Sequence, residues 1–171
     1  METKVPFYNA VNIFLPGLVL VGCAVFLFLD DIKSPVKAIT ELGSTGLEVL
    51  VTISLFAVAY EIGYIIFRFG AIGIEPILKK AFGWADYKDF VAAGKTSEKA
   101  HKKLETLSRE YSYARTQIVL FVILSVLAGT KMHWWLVVGC LLCVAVFTLT
   151  ACGYMKKIQT AVTQYLAVTD G

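Results

Sequence analysis

Four long apolar runs, separated by charged segments, constrain this chain more than any other feature. They cover residues 7–29, 46–68, 113–130 and 134–153. The first two exceed the roughly 20 residues that cross a hydrocarbon core of about 30 Å. Of the 171 residues, 57% are apolar and only 17% are charged, which excludes disordered, coiled-coil and secreted disulfide-scaffold proteins. We expect an all-α polytopic membrane protein, with residues 1–171 forming a single membrane domain of four transmembrane helices.

The third run has an apolar core of only 13 residues, 117–129, and needs the residues before it to reach across the bilayer. Tyr111 and Tyr113 extend it through one membrane interface, and Trp134 and Trp135 mark the opposite interface as part of an aromatic belt. Only a few residues, around 130–133, then separate runs three and four. Such a short link predicts an antiparallel helical hairpin.

Lysine and arginine are distributed unequally among the segments that flank the runs. Thirteen of the 16, namely Lys4, the ten from Arg68 to Arg115, and Lys156 with Lys157, lie on one side of the predicted spans, whereas Lys33, Lys37 and Lys131 lie on the other. Because cytoplasmic segments carry the excess of basic residues, both termini are expected in the cytoplasm. The first run is too long and its basic flank too thin for a cleaved signal peptide, so we interpret it as a retained span.

Residues 69–112 form the only sizeable segment expected in water, and they predict three short helical pieces. The proline after Glu75 begins the first piece, and an apolar repeat that starts at Trp84 gives the second. A third piece continues into span three after a cap at Thr96 or Ser97. The sequence therefore predicts a cytoplasmic helical segment between spans two and three.

The apolar face of the third piece needs a partner, and the sequence leaves open a neighbouring loop, another copy of the chain or a different protein. A soluble cytoplasmic effector protein is the expected partner of the segment as a whole, beside the lipid bilayer itself. The residues predicted to bind it are aromatic or basic: Trp84, Tyr87, Phe90, Lys99, Lys102 and Lys103. The net positive charge of this side also favours anionic lipid head groups. Direct nucleic-acid binding is not expected, because the basic residues alternate with acids and no stacking platform is present.

Polar residues inside the runs predict a cluster near the cytoplasmic side of the membrane. A carboxylate at the centre of a span costs about 2.5–3.5 kcal/mol, so it normally faces protein or water. The predicted cluster consists of Asn12, Glu61, Arg68 and Arg115. It either holds the helices in register or forms a proton-linked or ligand-sensing site. An ion pair between Glu61 and Arg115 would keep the carboxylate ionised and disfavour proton coupling.

Small residues four positions apart predict close contacts between helices. Pro16, followed by Gly17, is expected to kink the first span, and a kinked helix can either seat a neighbouring helix or act as a hinge. The other candidate packing residues are Ala59, Gly63, Ser125, Gly129, Gly139 and Cys143. Small side chains at this spacing are typical of helix association in lipid. Since four helices make a small membrane protein, we expect a homo-oligomer.

No motif in the sequence indicates catalysis, a metal or a cofactor. The pair Cys140 and Cys143 lacks the second pair or the nearby histidine of a zinc site. No serine or cysteine stands at a recognisable spacing from a base, and His101 and His133 are expected on opposite sides of the membrane. We therefore expect a protein that is not an enzyme, with no metal site and no cofactor.

Three segments carry a resemblance to a known family: NAVNIFLPG at residues 9–17, YEIGYIIFRFGAIGIEP at residues 60–76 and SREYSYART at residues 108–116. Through them the chain resembles small four-span bacterial membrane proteins found near defence genes, and its layout is similar to the membrane subunit of the Kiwa anti-phage system. The resemblance implies an inner-membrane oligomer that senses phage-associated envelope disturbance and works with a cytoplasmic DNA-binding effector. It marks the following positions without assigning them roles: Asn12, Pro16, Gly17, Tyr60, Gly63, Arg68, Glu75, Pro76 and Arg115.

Two functions are compatible with these observations. The first is a non-enzymatic sensor or scaffold of the bacterial inner membrane, belonging to an anti-phage system, whose basic cytoplasmic segment recruits or regulates a soluble effector. The alternative is a small proton-linked transporter or ion channel in which Glu61 carries the proton or lines a pore. The long segment before span three disfavours the alternative, because small four-span exporters have short loops.

Overall fold

The computed structural model describes residues 7–28 and 45–169, and every regular element in these ranges is helical. The helices are α1 (Phe7–Leu27), α2 (Thr45–Phe69), α3 (Glu75–Phe82), α4 (Tyr87–Thr96), α5 (Glu98–Thr130) and α6 (Trp134–Thr169), with a π-helical turn (Gly70–Ile74) between α2 and α3. The predicted positions of Lys4, Lys33 and Lys37 lie outside the described residues.

Three of the helical stretches are long and apolar enough to cross a membrane. They are Glu48–Phe82, Glu98–Thr130 and Trp134–Ala167, and a shorter apolar helix covers Val11–Leu27. Large apolar side chains stay exposed along them, as on Leu50, Ile53 and Leu149. Because monomeric soluble proteins rarely expose so much apolar surface, the chain is a membrane-embedded helical protein.

The chain divides into two compact units. One unit contains α1, α2 as far as Arg68, and Leu120–Leu141 around the turn between α5 and α6. The other begins at Phe69, runs to Val119 and resumes at Leu142. Its apolar core includes Leu78, Leu104, Ile158 and Val162, so α3, α4 and the adjoining parts of α5 and α6 form one folded module.

Within the first unit, α1 and α2 approach closely at two glycines. A Cβ atom on Gly17 would lie 1.7 Å from the carbonyl oxygen of Ala59, and one on Gly63 would lie 1.8 Å from that of Ile13. Only glycine permits such an approach of one backbone to another. The two helices therefore cross with their backbones in direct contact.

The turn between α5 and α6 is a tight reversal. The N–H of Met132 donates to the carbonyl of Gly129 at 3.1 Å, and the N–H of His133 donates to that of Ala128 at 3.0 Å. This pair of bonds is the Schellman pattern that satisfies the last carbonyls of a helix. Met132 adopts a positive φ of 59°, a conformation that glycine more often supplies at this position.

Two helices differ in extent from the expected segments. Helix α6 continues beyond residue 153, where the predicted span ends, to Thr169, because Ile158, Ala161 and Val162 are buried in the module core and extend its apolar face. Helix α4 begins at Tyr87 rather than at Trp84, with the Asp86 carboxylate accepting from the N–H of Lys88. Among the expected caps, the Ser97 hydroxyl accepts from the N–H of Ala100 at 3.1 Å, so Ser97 caps α5.

Candidate functional site

The π-helical turn brings a carboxylate next to a buried arginine. In this turn the N–H of Glu75 donates to the carbonyl of Gly70, which widens the helix by one residue relative to an α-helical turn. A Cβ atom on Gly70 would lie 3.3 Å from both Cγ and Nε of Arg115. The absence of a side chain at this glycine thus leaves room for the arginine side chain.

Arg115 forms an ion pair with Glu75 through Nη1 and Oε2. The Arg115 side chain is 5% exposed and that of Glu75 is 23% exposed, so the pair is largely removed from water. The other oxygen of Glu75 receives the Nζ of Lys79 at 2.6 Å. The Glu75 carboxylate therefore neutralises the buried guanidinium of Arg115 and also contacts the ammonium group of Lys79 near the surface.

Aromatic rings surround this ion pair. The ring of Tyr111 lies 5.8 Å from Cζ of Arg115 and 5.2 Å from the ring of Trp84. The Nζ of Lys79 lies 4.8 Å from the Trp84 ring. These distances are within the range of cation–π and aromatic contacts. We call these five residues, Glu75, Lys79, Trp84, Tyr111 and Arg115, the Glu75–Arg115 cluster.

Helix length explains why Arg115 needs a carboxylate. Residues 116–130 of α5 contain no charged side chain, and about 15 residues span only ~22 Å. A hydrocarbon core is about 30 Å thick. A helix that reaches the far interface at Thr130 would therefore hold Arg115 about 8 Å inside the near interface, where a charged side chain is still costly, although less so than the about 2.5–3.5 kcal/mol of the helix centre. Pairing with Glu75 offsets much of this cost.

The arrangement brings opposite charges together beside two aromatic rings. Within residues 7–28 and 45–169, no group of three or more histidine, cysteine, aspartate or glutamate residues is placed to hold a metal ion. The side chains of the cluster are two cations, one carboxylate and two rings. Such a set fixes α5 against the segment that contains the π-helical turn.

Comparison of this chain with protein-family models, with curated proteins and with solved structures gives no match. Residues 70–76 and 108–116, from two of the segments that carry the resemblance, meet in the Glu75–Arg115 cluster.

The four residues of the predicted polar cluster have different surroundings. Asn12 is buried and Glu61 is exposed on α2. Arg68 is exposed and donates to the Tyr64 hydroxyl through Nη2 at 2.6 Å. The fourth residue, Arg115, belongs to the other unit and pairs with Glu75. The ion pair of Arg115 is thus with a carboxylate that sequence reasoning did not consider.

The predicted partner-binding residues fall into two groups. Trp84 and Phe90 are half-buried and pack against the module's own core, so they are used within the fold. The other four are exposed: Tyr87, Lys99, Lys102 and Lys103. Helical spacing identifies an apolar face, but it does not distinguish a face that meets the same chain from one that meets another protein.

The predicted packing residues differ in burial and in how closely another helix approaches them. Pro16 and Gly17 are buried in α1, and Gly17 meets Ala59 and Gly63 at the crossing with α2. A Cβ on Gly129 would only touch Val137, at 4.0 Å, and one on Gly139 would meet nothing within 4 Å. The remaining two, Ser125 and Cys143, are half-buried.

Sequence reasoning missed three participants in this region. Glu75 was interpreted as the start of a helix and was marked by the resemblance without a role. A carboxylate at the end of an apolar run is itself a signal, because it calls for a partner of opposite charge. Thr116 and Gln117 are buried polar residues on α5, and the Thr116 hydroxyl donates to the carbonyl of Ser112 at 2.8 Å. Polar residues next to an intramembrane arginine would have indicated a protein-facing side of that helix.

Proposed function

We propose that this protein is a non-enzymatic, oligomeric scaffold of the bacterial inner membrane, with four spans and both termini in the cytoplasm, which holds a soluble protein through its helical module. The resemblance described above supports a place for it as the sensing subunit of an anti-phage system. What a scaffold needs is a preformed surface, because binding by an ordered surface avoids the entropic cost of ordering a loop.

The observation that carries this proposal is the outward face of α4. Phe90 and Ala93 of this helix pack into the module core, whereas the side chain of Tyr87 is 75% exposed. Tyr87 lines a shallow surface groove of about 350 Å³ together with Lys88, Val91, Ala92 and Lys95. An exposed tyrosine on a rigid helix, flanked by cations, is the composition of a binding surface for an acidic protein.

The exposure of Glu61 supports the oligomeric part of the proposal. Glu61 lies within the apolar helix α2, and its side chain is exposed in the single chain. A carboxylate on a membrane helix normally faces protein or water rather than lipid. A second copy of the chain, packed against this side of α2, would supply such surroundings.

The test replaces the surface of α4 without touching its core. Tyr87→Ala together with Lys88→Glu should weaken binding of the native partner about 30-fold or more, because a central tyrosine contributes about 2 kcal/mol at such surfaces. The measurement is co-purification of the partner from host membranes in mild detergent, followed by titration of the isolated partner.

Lys80→Glu is the matched control, since Lys80 is an exposed lysine of α3 in the same module. It should leave partner binding within about twofold of the wild type. Equal binding by the Tyr87 variant and the wild type would refute the proposed docking surface, provided that the thermal transitions of the two proteins coincide.

A further inference from the structure

A second groove lies between α5 and α6 on the module. It has a volume of about 390 Å³, and its lining residues are Lys103, Leu107, Lys156, Lys157, Thr160, Ala161 and Gln164. The Nζ of Lys103 lies 5.9 Å from the ring of Tyr165, which places the two helices side by side along this groove. Its volume is within the range of pockets that hold small molecules.

The lining combines cations with hydrogen-bond donors over an apolar floor. Lys103, Lys156 and Lys157 are exposed and supply three ammonium groups, while Leu107 and Ala161 are half-buried or buried. Thr160 and Gln164 add a hydroxyl and an amide. No carboxylate is among the lining residues, and Glu110 lies one turn beyond Leu107 on α5. This set of groups fits a phosphate that is attached to an apolar body.

The position of the groove along α6 identifies the source of such a phosphate. Residues 134–155 of α6 contain no charged side chain, and about 22 residues span ~33 Å, the thickness of a hydrocarbon core. Lys156 and Lys157 therefore follow directly at the level of the lipid head groups. Tyr154, whose ring lies 5.2 Å from the Nζ of Lys157, matches the aromatic residues that mark this interface.

We infer that this groove binds the head group of an anionic membrane phospholipid, with Lys156 and Lys157 on its phosphate and Lys103 at the far wall. Basic pockets between membrane helices on the cytoplasmic side have this function in other proteins. Three lysines match a head group with two phosphates better than one with a single phosphate, so diphosphatidylglycerol should bind more tightly than phosphatidylglycerol. This inference does not depend on the protein partner proposed for α4.

The test counts lipids bound to the full-length protein by native mass spectrometry from detergent micelles. The probes are diphosphatidylglycerol, phosphatidylglycerol and phosphatidylcholine. Each lysine near an anionic lipid surface contributes about fivefold to affinity, so Lys103→Gln/Lys156→Gln/Lys157→Gln should bind diphosphatidylglycerol roughly 100-fold more weakly. The matched control, Lys88→Gln/Lys95→Gln/Lys99→Gln, removes the same charge elsewhere on the module and should change affinity less than about threefold.

A second variant separates the groove from its charge. Thr160 is exposed on α6, and Thr160→Phe fills the groove while it retains all three lysines, so it should also lower diphosphatidylglycerol binding at least tenfold. Unchanged binding by this variant, or equal losses in the two triple variants, would overturn the inference in favour of diffuse charge attraction. Displacement of the lipid by inorganic phosphate or by an acidic peptide at equal concentration would overturn the lipid as the occupant.

Discussion

Removing the two charges of the Glu75–Arg115 pair one at a time should have unequal effects on stability. The Arg115 side chain is 5% exposed, whereas that of Glu75 is 23% exposed and also contacts Lys79. Glu75→Gln leaves a buried guanidinium opposite a neutral amide. Arg115→Met leaves a carboxylate that retains both Lys79 and some contact with water. We therefore expect Glu75→Gln to be the more destabilising of the two.

The expected magnitudes follow from this difference in burial. Removal of one partner from a buried ion pair costs about 3–5 kcal/mol. The partial exposure of Glu75 places Glu75→Gln near the lower limit, at about 3 kcal/mol of unfolding free energy, and Arg115→Met at about 1–2 kcal/mol. The double variant has no buried charge opposite a neutral group, so it should be more stable than Glu75→Gln alone by about 1 kcal/mol.

Tryptophan fluorescence can follow this unfolding in detergent. The chain has 3 tryptophans, and Trp134→Phe/Trp135→Phe leaves only Trp84, whose ring belongs to the cluster. Glu105→Gln is the control, because Glu105 pairs with Arg109 on the same helix with side-chain exposures of 44% and 32%. Such an exposed pair contributes less than about 1 kcal/mol, so this variant should unfold within about 0.5 kcal/mol of the wild type.

The order of stability among Glu75→Gln, Arg115→Met and the double variant shows whether unequal burial of the two charges determines the two costs. If Arg115→Met costs as much as Glu75→Gln, or if the double variant is the least stable, the argument from unequal burial fails. A Glu75→Gln variant as stable as Glu105→Gln would show that the pair contributes no more than a surface contact.

Two further predictions concern the backbone crossing and the tyrosine of the cluster. Gly17→Ala or Gly63→Ala should separate α1 from α2 and destabilise the protein by about 2 kcal/mol or more, because each new Cβ would lie less than 2 Å from a carbonyl oxygen. Thermal unfolding in detergent measures this loss of stability. Gly22→Ala is the control and should leave stability unchanged, because its Cβ would meet nothing within 4 Å. Tyr111→Phe should leave stability unchanged or raise it by up to about 1 kcal/mol, because the buried Tyr111 hydroxyl makes no hydrogen bond to any described residue. A loss of stability above about 1 kcal/mol in the same assay would contradict this expectation.

The long helices could be predicted from the sequence because membrane helices follow from local composition. Run length indicates α2 and α6 without any knowledge of their neighbours. The cap at Ser97 and the short link before Trp134 are also local signals. Residues 154–169 of α6 were not predicted to be helical, because their mixed polar and apolar pattern is explained only by the burial of the apolar residues in the module core.

The Glu75–Arg115 pair could not be predicted in the same way. Its two residues lie 40 positions apart, and they meet because the π-helical turn at Gly70 leaves room beside the backbone. No pattern in residues 70–74 distinguishes this turn from an ordinary helix. Sequence reasoning found the intramembrane arginine but selected Glu61 as its possible carboxylate, since both were expected at a similar depth.

The ion pair also has a consequence for the biosynthesis of the chain. Glu75 is translated before Arg115, so the carboxylate has left the ribosome by the time the arginine emerges. A segment that begins with arginine and continues for only about 15 uncharged residues inserts poorly by itself. Entry of α5 into the bilayer should therefore depend on the preceding part of the chain, which carries the opposite charge.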